Sequence, residues 1–110
     1  MNLLERYAEA FDTKDIEKMS KVFCEDGIFD DVAVKLLTGK PAYLEGRSTI
    51  VEMFSDLFKN DIQVNILKMA DDNKSMEYDV IVNGQVLPCV GMLLEEQDNM
   101  MKLYRCEPRA

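Results

Sequence analysis

The apolar residues of this chain change their spacing once, near residue 60, and that change governs what it can fold into. Before it they recur every three to four positions; after it they fall in short β-branched runs between turn signals. Leu3, Leu4, Tyr7, Ala8, Ala10 and Phe11 mark a first amphipathic helix. The Asp12-Thr13 step, two good N-cap residue types, interrupts it. Ile16, Met19, Ser20, Val22 and Phe23 mark a second helix, which Gly27 is expected to close. Ile28 to Val32 reads as a short strand, and Ala33 to Gly46 as irregular, broken by Gly39, Pro41 and Gly46. A third helix is expected from Ser48 or Thr49, where Thr49 and Glu52 have capping-box spacing. Ile50, Phe54, Leu57 and Phe58 form its apolar stripe.

Four strands follow: Ile62 to Ala70, Met76 to Val82, Val86 to Leu94 and Met100 to Cys106. Helices first and a meander after predict an α+β fold with the helices on one sheet face. Asn83-Gly84 is a strong hairpin signal that leaves two registers open. A two-residue loop pairs Val80 with Leu87 and Tyr78 with Cys89. A three-residue loop including Gln85 pairs Tyr78 with Val90 and Met76 with Met92. The second collects an unbroken apolar set on one face, and is the expected register.

A chain of 110 residues has room for one core, so residues 1–110 are read as one domain. The net charge of -8 argues against nucleic acid, whose binding needs Lys and Arg to displace counterions. No apolar run reaches the roughly 18 residues of a membrane span, and the first residues lack a basic-then-apolar leader. A cytoplasmic location is the expectation. The absence of histidine removes Ser-His-Asp and Cys-His catalysis and imidazole-based zinc sites. Cys24, Cys89 and Cys106 show no metal-like spacing, the carboxylates form no calcium-loop pattern, and neither metal nor cofactor is expected. Proton transfer is left to carboxylates, tyrosines, lysines and cysteines.

Three segments carry a family likeness. Arg6-Tyr7-Ala8-Glu9-Ala10-Phe11 is followed by Asp15-Ile16 and by Val22-Phe23-Cys24-Glu25-Asp26-Gly27. Gly46-Arg47-Ser48-Thr49-Ile50-Val51-Glu52-Met53-Phe54 comes third. Their order and spacing resemble the nuclear-transport-factor-2-like superfamily, in its SnoaL-like and ketosteroid-isomerase-like branch. The resemblance spans essentially the whole chain. It implies a cone-shaped, cystatin-like fold: three N-terminal helices packed on a curved, mostly antiparallel sheet.

Over the first thirty-odd residues the likeness to ketosteroid isomerases is sharper. Matching Arg6-Tyr7 to that family's helix-one Arg-Tyr without gaps implies Asp31 as the catalytic base and Tyr7 as an oxyanion donor. Ketosteroid isomerases add a protonated acid to the tyrosine. Its place falls on Val90, between Cys89 and Gly91, none of which donates as an acid does. Losing one oxyanion donor costs about a hundred- to a thousandfold in rate, so efficient steroid isomerisation is not expected.

Phe23, Phe54, Phe58, Tyr78, Val90 and Met92 are expected to line the cone, with Arg105 at its mouth to bind a carboxylate or pair with Asp31. Each has a plainer reading: Tyr7 and the apolar set as core, Asp31 as a solvated or turn-capping acid, Arg105 as an outward surface residue. Burial would raise the Asp31 pKa and Arg105 would lower it. The expected function is binding of a small apolar or amphipathic molecule, with carboxylate-assisted isomerisation or cyclisation through Asp31 as the candidate chemistry. The alternative is a non-catalytic dimerisation or ligand-binding module with a vestigial cavity. A homodimer is expected through the outer sheet face, on the strength of Leu87, Leu93 and Leu103, which fall opposite the pocket set or at strand ends.

Overall fold

Asn2 starts the first helix by a reciprocal cap. Its side chain accepts from the Glu5 amide at 2.8 Å while the Glu5 carboxylate accepts from the Asn2 amide at 2.9 Å. In the computed structural model, which describes residues 1–110, this helix (α1) spans Leu3–Asp12 and buries the stripe of Leu3, Leu4, Tyr7, Ala8, Ala10 and Phe11. Lys14 turns the chain in the left-handed region, and Asp15 caps α2 (Ile16–Val22) through the Lys18 amide. The Asp12 carboxylate is spent elsewhere: it accepts from the Val64 amide at 2.8 Å and pins the end of α1 to the sheet.

The second helix ends sooner than its glycine suggested. β1 already begins at Phe23 and runs to Asp31, with Gly27 inside it. Gly27 is needed for close approach rather than for a helix stop. A Cβ there would stand 3.0 Å from the Cys24 carbonyl oxygen and 3.1 Å from that of Met101. This is also where the pairing of β1 shifts register, between Phe23 and Ile28. The stretch expected to be irregular holds a one-turn helix, α3 (Lys35–Thr38), closed by left-handed Gly39, and a short strand, β2 (Ala42–Glu45). The expected three helices are thus joined by a fourth. α4 (Arg47–Leu57) starts at Gly46 without a side-chain cap, so the Thr49-Glu52 pair lies inside the helix and caps nothing.

β3 (Ile62–Met69), β4 (Ser75–Val82), β5 (Gln85–Gln97) and β6 (Met100–Pro108) complete one six-stranded sheet in the order β2-β1-β6-β5-β4-β3. Only the β1–β6 pair, one strand in from the β2 edge, is parallel. That pairing sets Asp31 opposite Cys106 and Asp30 opposite Arg105.

The β4–β5 hairpin takes the two-residue register, correcting the three-residue expectation. Tyr78 faces Cys89, Val80 faces Leu87 and Val82 faces Gln85. Asn83 and Gly84 both have positive φ, 51° and 83°, the combination whose twist matches that of the flanking strands. Asn83 adds side-chain bonds to the Asp61 amide and the Asn60 side chain. Turn geometry therefore outweighed apolar continuity. On the helix side β5 presents Leu87, Cys89, Gly91 and Leu93, whereas Val90 and Met92 point to the outer face. Leu87 and Leu93 are core residues as a result, and of the three leucines behind the dimer expectation only Leu103 lies on the outer face.

Candidate functional site

α1, α2 and α4 cover the sheet through an aromatic core. Tyr7 lies against Tyr104 at 4.7 Å between ring centroids, Tyr104 stacks on Phe29 at 5.6 Å, and Phe29 meets Phe54 edge-on at 5.4 Å. The hydroxyls of Tyr78 and Tyr104 are 2.6 Å apart, and Tyr78 also reaches the Cys106 thiol at 3.3 Å. All three tyrosines are almost fully buried, and desolvation raises each phenol well above its ordinary pKa. The base of the cone is thus filled by side chains.

An open cleft remains at one side. It holds about 400 Å³ between α4, the end of α1, and the segment from Asp31 to Ala42. Phe11, Phe29, Met53, Phe54 and Leu57 form its apolar wall; Asp31, Thr38, Lys40, Asp56 and Asn60 are its polar groups. Asp31 is placed there because β1 ends at it and the chain turns at once into α3. Its carboxylate accepts from the Val34 amide at 3.0 Å, an Asx-type bond that fixes the side chain at the turn. Burial lifts its pKa from 3.8 to about 6. The Val34 and Ala33 amides and the Cys106 thiol oppose that rise, and the neighbouring Asp30 charge adds to it.

Arg105 does not pair with Asp31. It lies on the outer face, donating to Asp30 at 2.6 Å and to Glu107 at 2.8 Å, because residues 30 and 105 are register partners one step out of phase with the interior. Of the expected site residues, only Asp31, the expected catalytic acid, and Phe54, an expected pocket residue, line the cleft. Phe23 and Tyr78 are core, Phe58 is half-buried beside Phe11 and Phe54, and Val90 and Met92 lie across the sheet. Tyr7 is close enough to feel the Asp31 charge but does not reach the cleft.

On the strand where an acid would complete an isomerase site, the inward positions are Cys89 and Gly91. Tyr104 fills the space above Gly91, where a Cβ would come within 2.4 Å of its hydroxyl. Lys40, Met53 and Asn60 escaped the sequence reading. Met53 and Asn60 carry no pattern that separates them from an ordinary helix face and its exit. Lys40, before Pro41, had only a turn signal.

Helices laid on one face of this mostly antiparallel sheet define a nuclear-transport-factor-2-like fold. Residues 1–71 match the model of the SnoaL-like domain, and the chain belongs to that family. Solved structures agree on the fold. A protein of unknown function from Cytophaga hutchinsonii superposes with a TM-score of 0.73 at 16% identity, over 97% of this chain and 87% of the other. A candidate polyketide cyclase from Sinorhizobium meliloti gives 0.76 at 14%, over 96% and 93%. A candidate ketosteroid isomerase from Kribbella flavida gives 0.74 at 16%, over 98% and 80%. No curated protein sequence matches this one significantly.

Proposed function

We propose that this chain is a small-molecule-binding protein whose ligand lies in the cleft against α4, with Asp31 as its recognition group. The observation that carries this is the coincidence of an apolar cleft of ligand size with one half-buried carboxylate at its inner end. Native mass spectrometry of protein from cells, with Leu57→Trp to fill the cleft, tests it. The parent should retain a small molecule that the variant lacks, and equal retention by both would defeat the reading.

A second reading, single-carboxylate isomerisation or cyclisation, is favoured by the Asp31 pKa of about 6, which suits proton exchange near neutrality. Against it stands the burial of Tyr7 away from the cleft, which removes the tyrosine expected as oxyanion donor from the side of Asp31. Self-association through the outer sheet face is also proposed. Its half-exposed apolar residues are Ile81, Val90, Met92 and Leu103, and sedimentation at micromolar concentration would show a dimer.

A further inference from the structure

Asp31 makes no ion pair. Arg105, the cation nearest in register, is held on the other side of the sheet by Asp30 and Glu107. The ionisable groups around the carboxylate otherwise offer it no charge. Tyr7 from α1 and Tyr104 from β6 are kept neutral by burial, Cys106 from β6 by its hydrogen bond with Cys89 and then by burial, and Asp30 on its own strand is an anion. Across the cleft, Asp56 of α4 is a second carboxylate, paired at the surface with Lys59. Lys40, exposed at the rim and in no ion pair, is the one cation among the lining residues.

A half-buried carboxylate without a countercharge is costly, and its cost falls when a cation reaches it. We infer that the cleft takes a small organic cation, an ammonium group on a hydrophobic body, with the ammonium on Asp31 and the body against Phe29, Phe54 and Leu57. The inference rests on the binding reading above and names its ligand class. The apolar wall accepts the body by desolvation. Asp31 accepts the ammonium through a charge-assisted hydrogen bond, in addition to the bond its carboxylate accepts from the Val34 amide. A carboxylate ligand would meet Asp31 and Asp56 as like charges, with Lys40 alone in its favour. The net charge of -8 also raises the local concentration of cations over anions.

Three probes with one aromatic body test this: phenethylamine, neutral 2-phenylethanol and anionic phenylacetate, titrated calorimetrically into the full chain. Phenethylamine should bind about tenfold or more tightly than the alcohol, and Asp31→Asn should erase that difference. Asparagine keeps an acceptor for the Val34 amide, and its melting curve checks that the variant is folded. The wild-type pH profile gives a second readout that needs no variant. Amine affinity should fall about tenfold from pH 7.5 to pH 5 as Asp31 takes up its proton, while alcohol affinity stays flat. Lys40→Ala should tighten the amine. Equal binding of amine and alcohol, indifferent to Asp31→Asn, would overturn the cation inference and leave the cleft as a binding site. Preference for phenylacetate would overturn it in favour of Lys40. Failure of all three probes at millimolar concentration would overturn both this inference and the binding reading.

Discussion

The phenol oxygens of Tyr78 and Tyr104 stand 2.6 Å apart inside the core, directly beneath Gly91. Position 91 must stay without a side chain for that contact to exist. A Cβ there would lie 2.4 Å from the Tyr104 hydroxyl and 3.0 Å from a Tyr78 ring carbon. Gly91→Ala should destabilise the protein by about 1–3 kcal/mol, the usual cost of overpacking. Urea unfolding measures it, and an unchanged midpoint would mean the tyrosines have room to move.

Tyr78 serves more partners than Tyr104 does. Its hydroxyl meets both Tyr104 and the Cys106 thiol, and also offsets the pKa rise of Tyr7. Tyr78→Phe leaves several buried polar groups short of a partner and should cost about 2 kcal/mol. Tyr104→Phe, which leaves Tyr78 its thiol contact, should cost about 1 kcal/mol. A double-mutant cycle should show the two losses to be less than additive, as for any shared bond.

Asp31 gives stability a pH signature. Its folded pKa of about 6 exceeds the unfolded value, so between these the native state holds a proton that the unfolded chain releases. The group's contribution is full below about pH 4 and is lost as pH rises through about 6. Asp31→Asn removes this loss. Its unfolding free energy relative to wild type should climb by about 1–3 kcal/mol between pH 4 and pH 7.5. A flat difference would show that Asp31 titrates like a free aspartate.

The β4–β5 turn should be sensitive at both its residues. Gly84→Ala forces a side chain into left-handed backbone and should cost about 1 kcal/mol. Asn83→Ala loses, in addition, the bonds to Asp61 and Asn60 and should cost more. Chemical denaturation ranks the two, and a reversed order would place the turn's stability in the backbone alone.

The apolar stripe of α1 was legible in sequence because a periodic signal needs only local chain geometry. All six of its residues are buried as the period requires. The four late strands, the mostly antiparallel sheet and the position of Asp31 at a strand end followed from the same local signals and from a family likeness carried by short motifs.

What lay beyond the sequence depends on which strand becomes whose neighbour. The parallel β1–β6 pairing fixes Asp31 toward the cleft and sends Asp30 out to Arg105, a choice of phase that adjacent aspartates do not encode. The hairpin register turned on one residue. That single step exchanged Val90 and Met92 for Cys89 and Gly91 on the inner face, because side chains alternate with a period of two. Whether the cone would be hollow or filled was likewise decided only in three dimensions. Three tyrosines from α1, β4 and β6, far apart in sequence, converge over a glycine and occupy its base. Sequence periodicity determined which faces are apolar; tertiary pairing alone determined which residues share one, since that depends on contacts between segments the chain brings together only on folding.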